Sequence, residues 1–283
     1  MRFDIMTLFP DVVDAVLGES IVGRACRAGY LKICTHQIRD YSQNKHRRVD
    51  DTPYGGGKGM LMAAEPIWNC YRAILEQAGE ADCRRRRVIY LSPAGQVLTQ
   101  QRAAELARDY DQLILLCGHY EGVDHRLLEE IVDEEISIGD FVLTGGEIPA
   151  CILTDCVARM VPGVLADPEC YEKESIASGL LEYPQYTKPA VWRDRAVPEV
   201  LLSGDHKKVD EWREDQALRL TRERRPELYE VWMAAHPPKP PKKGRRSRPE
   251  ENRRGAEDFC EVRQPDSPGE PSFSPDENIM EIG

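Results

Sequence analysis

Short strand-like runs alternate with helical stretches over the first 160 residues, and this alternation limits the folds open to the chain. The strand-like runs are rich in aliphatic and β-branched residues, whereas the stretches between them carry apolar residues at helical spacing. The pattern predicts an α/β domain built on a mostly parallel sheet. The predicted strands are Arg2–Phe9, Leu31–Gln37, Val88–Leu91 and Gln112–Leu116, and the predicted helices include Pro66–Ala78 and Thr99–Arg108.

The residue pattern of the chain changes after Val161-Pro162-Gly163. A charged, irregular stretch runs to about Ser178, and helical segments follow, chiefly Asp205–Arg224 and Pro226–Ala235. We therefore predict the α/β domain over residues 1–163, an interdomain linker over residues 164–178, and a small C-terminal helical domain over residues 179–236.

Residues 237–283 are rich in proline and charge and poor in apolar side chains. Such a composition does not offset the entropy cost of ordering a chain, so we predict a disordered tail. The part up to Arg254 carries eight basic and two acidic residues, and the rest carries one basic and eight acidic residues. A solvated appendage is favoured over an arm that grips RNA, and both remain open.

The start of the chain and its cysteines indicate a cytoplasmic protein with no membrane segment. Asp4, Asp11 and Asp14 occupy positions where a signal peptide needs a basic start and an unbroken apolar run. The longest apolar runs are far shorter than the roughly 20 residues that cross a bilayer. The nine cysteines form no CxxC pair and show no zinc-finger spacing, so we expect reduced thiols and no metal site.

The formal net charge of −11 argues against indiscriminate binding of polyanions. Any nucleic-acid site must then be a local basic patch. Two groups of residues qualify. They are His46, Arg47 and Arg48 in a polar stretch, and Arg219, Arg222, Arg224 and Arg225 in the predicted helical domain, where a solvated helix face is an equal alternative.

Two glycine-bearing segments are candidates for binding sites. Asp50–Met60 contains Gly55-Gly56-Gly57, which permits close backbone approach but lacks the spacing of a phosphate-binding P-loop, so a mobile loop is equally open. Cys117–Asp124 follows a strand, and Ile136–Glu147 comes close behind. Because glycines just past strand ends hold ligands in α/β sheets, backbone groups and short apolar side chains there are suited to enclosing a ring such as adenine. A set of tight turns is an equal alternative.

Three charged or polar residues near these segments have both functional and structural interpretations. Glu121, at the mouth of the expected pocket, is suited to orienting a cation such as a sulfonium. His119 is more typical of a hydrogen bond within a loop than of catalysis. Arg159 falls at the carboxyl end of the predicted helix Ile148–Met160, where a cation also stabilises the helix dipole.

Seven strings in order along roughly Met1 to Ala235 resemble those of the bacterial tRNA (guanine-N1)-methyltransferases, which modify guanosine 37 beside the anticodon. Any one string is weak, whereas their ordered combination is specific. The strings are Thr7–Pro10, Val49–Met60, Tyr90–Pro93, Cys117–Gly122, Ser137–Glu147, Val161–Leu165 and Gly179–Pro184.

The resemblance implies a SPOUT-class enzyme whose sheet domain is threaded into a trefoil knot that binds S-adenosylmethionine. It further implies a homodimer, with tRNA lying across both subunits and each active site built from two chains. Mg²⁺ is a further cofactor implied only in this way. By motif match, the cofactor-binding residues are Leu91, Ser92, Pro93, Gly118, Tyr120, Glu121, Ser137, Ile138, Gly139, Asp140, Phe141, Val142, Leu143, Gly145 and Gly146.

The same resemblance assigns the catalytic pair. Guanine N1 carries a proton, so methyl transfer requires a base to remove it and a cation to hold the charge on O6. The resemblance implies Arg159 at O6 and the linker residue Glu174 as the base, where the family commonly has aspartate. Glu172 and Glu169 remain alternatives for the base. Lys58, where many members carry a small residue or proline, receives no role.

Two rival functions are open to a chain of this kind. One is a tRNA-binding protein that keeps the fold but has lost methyl transfer. The other is a SPOUT enzyme that acts on a different RNA nucleotide, which the Gly179–Pro184 string and the helical domain disfavour. The cofactor glycines, Arg159 and a linker carboxylate are all present, and this favours the active enzyme.

Overall fold

The computed structural model describes residues 1–78, 85–166 and 175–237. Five strands form its central sheet in the order β2-β1-β6-β5-β7, and every neighbouring pair is parallel. The α/β prediction with a mostly parallel sheet is thereby confirmed. The strands are β1 (Arg2–Thr7), β2 (Lys32–Gln37), β5 (Arg86–Val97), β6 (Gln112–Cys117) and β7 (Glu134–Ser137), with the short pair β3 (Asp50–Asp51) and β4 (Leu61–Met62) outside this sheet.

Helices cover both faces of the sheet because successive strand residues point to opposite sides. Phe3 and Ile5 of β1 pack with one group of helices, and Met6 packs with the other. The first group is α1 (Pro10–Leu17), α2 (Ser20–Arg27), α4 (Gln100–Asp109) and α6 (Glu147–Ala158). The second group is α3 (Ala64–Ala78) and α5 (His125–Ile131), and a 3₁₀ turn at Ile38–Tyr41 follows β2.

A buried carboxylate joins three adjacent strands, β2, β1 and β6. Asp4 of β1 is fully buried, and it accepts hydrogen bonds from Arg2, from His36 of β2 at 2.9 Å and from Gln112 of β6 at 2.6 Å. Burial by itself raises the pKa of Asp4, but the hydrogen bonds from His36, Arg2 and Gln112 outweigh it and hold that pKa below its ordinary value. The carboxylate therefore stays ionised in the sheet interior.

Strand β5 is longer than predicted because it continues through a bulge. Both Leu91 and Gln96 align with Ile136 of β7, so the residues between them, including Pro93, leave the ladder. Gly95 passes so close to β7 that an added Cβ would lie 2.4 Å from the carbonyl carbon of Glu135. The bulge places Leu91–Ala94 at the carboxyl edge of the sheet.

Between residues 175 and 237 the structure shows a hairpin and three helices. The hairpin pairs β8 (Val191–Trp192) with β9 (Arg195–Ala196), and α7 (Glu199–Leu202), α8 (His206–Arg224) and α9 (Pro226–Ala235) follow. Both long helices lie where the sequence predicted them, and the Asp205 side chain caps α8 by accepting from the Lys208 amide. The domain boundaries at 163, 178 and 236 stay predictions. Most of the linker prediction and nearly all of the tail prediction fall on residues 167–174 and 238–283, outside the described residues.

In residues 1–78, 85–166 and 175–237, the structure shows no helix with the length and apolar character that crossing a membrane requires.

Candidate active site

A cavity of about 420 Å³ opens at the carboxyl ends of β5, β6 and β7. Three chain segments wall it: the β5 bulge, the loop after β6, and the loop that joins β7 to α6. Its lining residues are Tyr90, Leu91, Ser92, Pro93, Ala94, Gly118, His119, Tyr120, Glu121, Gly122, Ser137, Ile138, Gly139, Phe141, Val142, Leu143, Thr144, Gly145, Gly146 and Pro149. The location is the edge where parallel sheets hold ligands.

The structure brings the predicted cofactor-binding residues together around this cavity. Every residue of that prediction belongs to the lining except Asp140, a described residue of the same β7–α6 loop that lies outside it. That these residues bind a cofactor stays a prediction. Tyr120 adopts a φ of 59°, a left-handed conformation that is uncommon for a bulky residue and that clusters at functional sites.

Two glycines allow the walls of the cavity to approach each other. Gly146 donates its N–H to the carbonyl of Gly118 at 2.9 Å, which fastens the β7–α6 loop to the loop after β6. A Cβ on Gly146 would lie 2.7 Å from Cα of Cys117, and one on Gly118 would lie 2.8 Å from the hydroxyl oxygen of Tyr90. Any larger residue at either position must therefore displace part of the wall.

A buried carboxylate stands behind the cavity wall. Glu147, the first residue of α6, is only 5% exposed. It accepts a hydrogen bond from the Thr7 hydroxyl at 2.6 Å, and its other carboxylate oxygen lies 2.7 Å from Nε2 of His119. The ring of Phe9 packs against His119 with centroids 5.0 Å apart. The expected role of His119 as a hydrogen-bonding loop residue matches this contact.

Sequence reasoning gave Thr7 and Glu147 no role of their own. For Glu147, the local sequence signal was its position directly after Gly145-Gly146, in the first turn of a helix, where the helix dipole favours a negative charge. Its partners are 140 and 28 residues away along the chain.

The end of the first glycine segment lies against the cavity mouth. The amide of Glu121 donates to the carbonyl of Met60 at 3.0 Å, and the Met62 amide donates to the carbonyl of Gly122 at 2.9 Å. A Cβ on Gly59 would lie 2.5 Å from Cγ of Glu121. The two glycine segments that the sequence singled out are therefore neighbours in the fold.

The structure places Arg159, one of the two predicted catalytic residues, apart from this cavity. Arg159 caps the carboxyl end of α6, whereas Gly146 precedes its amino end at the cavity. At 1.5 Å per helical residue, Arg159 lies about 20 Å along the axis from Gly146. Glu174, with the alternatives Glu169 and Glu172, lies outside the described residues.

The residues predicted to bind RNA are exposed in both groups. His46, Arg47 and Arg48 follow the 3₁₀ turn, and Arg47 pairs with Asp40 at 3.0 Å. Arg219, Arg222 and Arg224 lie on the last two turns of α8, and Arg225 follows them and pairs with Glu227. The structure thus leaves these cations on surfaces that a phosphate backbone can reach.

Helices α1 and α6 pack side by side and share an exposed apolar surface, which we call the α1/α6 face. It comprises Phe9, Val12, Val16, Ile148 and Ile152, each 41–52% exposed. A second cavity of about 420 Å³ opens on this face and shares His119, Leu143, Thr144 and Gly145 with the first. Contiguous apolar patches of this kind mark interaction surfaces.

No cluster of three or more His, Cys, Asp or Glu side chains suited to a metal ion occurs in the described part of the chain. Nothing described here corresponds to a Mg²⁺ site.

Comparison with known proteins gives consistent matches. A family model described as tRNA (Guanine-1)-methyltransferase TrmD matches residues 1–231. The tRNA (guanine-N(1)-)-methyltransferase of Ruminiclostridium cellulolyticum is 53% identical over 229 residues, which are 81% of this chain and 96% of that protein. Those of Lachnospira eligens and Clostridioides difficile are each 50% identical, over 83% and 81% of this chain and 98% and 97% of their own lengths.

Proposed function

The chain belongs to the tRNA (guanine-1)-methyltransferase family, and from this premise we propose that it methylates N1 of guanosine 37 in tRNA with S-adenosylmethionine as donor. The resemblance drawn from seven strings is confirmed at the level of the family. One structural observation carries the rest of the proposal: all of the residues assigned to the cofactor by motif, except Asp140, line one cavity at the carboxyl edge of the sheet. We include a cytoplasmic location in the proposal, because tRNA is the substrate.

The cavity suits S-adenosylmethionine in size and in chemistry. Its volume falls within the range of about 300–1,000 Å³ that is common for small-molecule sites. Backbone groups at Gly118 and Gly145 suit the edge of the adenine, and Leu91, Ile138 and Leu143 suit its ring. Glu121 at the mouth is the negative charge best placed for the sulfonium.

We propose that the β7–α6 loop and the loop after β6 form the trefoil knot of the SPOUT class. The two loops are joined by the Gly146–Gly118 hydrogen bond and by an antiparallel bridge between His119 and Gly145. The glycines at these contacts are what permit one loop to pass so close to the other. Such threading is an exception to the usual rule for chain connections.

Three groups share the chemistry. Glu174 takes the proton from guanine N1, and Arg159 donates hydrogen bonds to O6, where negative charge collects. When bound, S-adenosylmethionine supplies the methyl: its sulfur–methyl bond breaks as the N1–methyl bond forms, and S-adenosylhomocysteine leaves as a neutral thioether. A requirement for Mg²⁺ is implied by family resemblance alone.

We propose that each active site is built from two chains of a homodimer. The separation of about 20 Å between Gly146 and Arg159 along α6 is too long for one chain to place both at the same methyl group. The α1/α6 face supplies the apolar surface that a second copy would cover. The tRNA would then contact His46, Arg47 and Arg48 together with Arg219, Arg222, Arg224 and Arg225.

The test is incorporation of labelled methyl from S-adenosylmethionine into an unmodified tRNA transcript that carries guanosine at position 37. A transcript with adenosine at 37 and the Glu174→Gln enzyme serve as negative arms, and Glu172→Gln and Glu169→Gln as matched carboxylate controls. We expect Glu174→Gln to lose about 10²–10⁴-fold in rate, with little change in the two controls. Binding of tRNA without any transfer would instead support the non-catalytic tRNA-binding protein.

A further inference from the structure

The β8–β9 hairpin presents an indole to solvent. Arg193 and Asp194 form its two-residue turn with φ values of 48° and 62°, the left-handed conformations of a type I′ turn. All residues from Val191 to Ala196 are exposed, and Trp192 is 59% exposed. A tryptophan that is exposed to water at a hairpin tip contributes little of the hydrophobic stabilisation that its burial would give.

One cation contacts this indole, and two more lie near it in the sequence. The guanidinium carbon of Arg193 lies 4.9 Å from the centroid of the Trp192 ring, within the range of a cation–π contact. Arg195 follows in β9, and Lys188 precedes β8. Because Asp194 is the single acidic residue from 188 to 196, the segment is positive in a chain whose formal net charge is −11.

An exposed aromatic ring flanked by arginines is the arrangement with which proteins hold unpaired nucleotides. The ring stacks on a base whatever its sequence, and the guanidinium groups neutralise the adjoining phosphates. We propose that residues 191–196 form a stacking platform for an unpaired nucleotide of the tRNA substrate. Trp192 contacts the base, and Arg193 and Arg195 contact phosphates. This inference rests on the proposed function, which supplies a substrate with a single-stranded loop.

The test compares tRNA binding and S-adenosylmethionine binding in the full-length protein. Trp192→Ala should raise the Kd for tRNA about 5- to 150-fold, the range measured when stacked aromatics are removed. Trp192→Phe should retain most of the affinity. The Kd for S-adenosylmethionine and the midpoint of thermal unfolding should not change, since the hairpin is exposed and outside the cavity.

Three further variants distinguish the effect of stacking from the effects of charge and of exposed apolar surface. Arg193→Gln and Arg195→Gln should each reduce the slope of log K against log salt by about 0.7–1, whereas Trp192→Ala should leave that slope unchanged. Leu202→Ala is the matched control, since Leu202 of α7 is 61% exposed and is apolar. Its Kd for tRNA should equal that of the wild type.

Three outcomes would overturn the inference, and they are distinguishable. If Trp192→Ala binds tRNA with wild-type affinity and salt dependence, the stacking platform is contradicted and the methyltransferase proposal is unaffected. A change in the oligomeric state of Trp192→Ala, seen by sedimentation, would assign the indole to a contact between subunits. A wild-type protein that neither binds nor methylates tRNA removes both proposals.

Discussion

Glu147 and His119 meet 2.7 Å apart, and their contact joins the first turn of α6 to the loop after β6. Because the Thr7 hydroxyl donates to the other oxygen of the same carboxylate, Glu147 also holds the end of β1. Three segments that are distant in sequence are thus fixed behind the cavity wall by one buried side chain. We therefore expect the shape of the cavity to depend on that carboxylate, although Glu147 is not among the predicted cofactor-binding residues.

Glu147→Ala should lower the free energy of unfolding by about 1–3 kcal/mol, because it removes the hydrogen-bond acceptor of the buried Thr7 hydroxyl and the partner of the partly buried His119 ring. Urea denaturation at pH 7 measures this change, and the affinity for S-adenosylmethionine should fall with it. Glu129→Ala is the matched control: Glu129 also faces a histidine, at 3.5 Å from His125, but on an exposed surface where such pairs contribute less than about 1 kcal/mol. Equal losses in the two variants would contradict the structural role of Glu147.

Gly146→Ala should weaken S-adenosylmethionine binding by about tenfold or more and destabilise the fold by about 1–3 kcal/mol. The added methyl meets the Cys117 and Gly118 backbone at 2.7 and 2.9 Å, so the wall must move. Gly204→Ala provides the control, since φ is +71° there but nothing lies within 4 Å of the added Cβ. Calorimetric titration should show unchanged cofactor affinity for the control; unchanged affinity for Gly146→Ala would mean that the wall is not part of the site.

The ionised Asp4 predicts a specific dependence of stability on pH. Its pKa is lowered in the folded protein, so its stabilising contribution is fully present above the unfolded-state pKa of about 3.9. That contribution is lost as the pH falls through the lower folded-state pKa. The difference in unfolding free energy between wild type and Asp4→Asn should therefore be largest near pH 7 and shrink below about pH 4. Urea melts at several pH values measure it, and a difference that grows on acidification would be the wrong sign.

Ile152→Asp should convert the protein to monomers and abolish methyl transfer, because it places a charge in the middle of the α1/α6 face. Light scattering gives the oligomeric state, and labelled methyl incorporation gives the activity. Val231→Asp on α9 is the control, at a residue that is even more exposed but lies outside that face. A dimeric, active Ile152→Asp protein would place the subunit contact elsewhere.

Mixing two variants that are each impaired in a different part of the site tests whether one active site draws on two chains, provided that the S-adenosylmethionine concentration is too low for Gly146→Ala to bind it. Arg159→Gln lacks the cation, and Gly146→Ala has a damaged cavity. In a randomly mixed sample, half of the dimers combine the two variants and each of these has one intact site, so about a quarter of the wild-type activity should return. Subunits must be allowed to exchange before the assay. If the cavity and Arg159 act within one chain, the mixture stays inactive.

The sequence predicted which segments form strands and helices better than it predicted where those strands and helices end. Periodicity identified four strands and the long helices, since those signals are local. It did not predict that β5 runs through Pro93 to Val97, because proline normally ends a strand and the bulge that accommodates it is stabilised by pairing with the distant β7. The predicted end of β1 at Phe9 was two residues late, because Pro10 begins α1 directly after Phe9.

At the candidate site, too, the sequence predicted the local features and missed the contacts between distant segments. Motifs in contiguous strings identified the cavity lining, because the binding loops are themselves continuous in sequence. The Thr7–Glu147–His119 contact was missed because it joins residues from three separate segments. The distance from the cavity to Arg159 follows from the length of α6, and the predicted helix Ile148–Met160 lies within two residues of its observed ends.

The position of β1 in the sheet has a consequence for how the chain folds as it is synthesised. This first strand lies between β2 and β6, and β6 begins only at Gln112. At ribosomal rates of about 5–20 residues per second, one edge of β1 must wait about 4–15 s after Gln37 is made before its second partner exists. During that interval an apolar edge has no native partner, so nascent chains of intermediate length are the species most exposed to aggregation and most in need of chaperones.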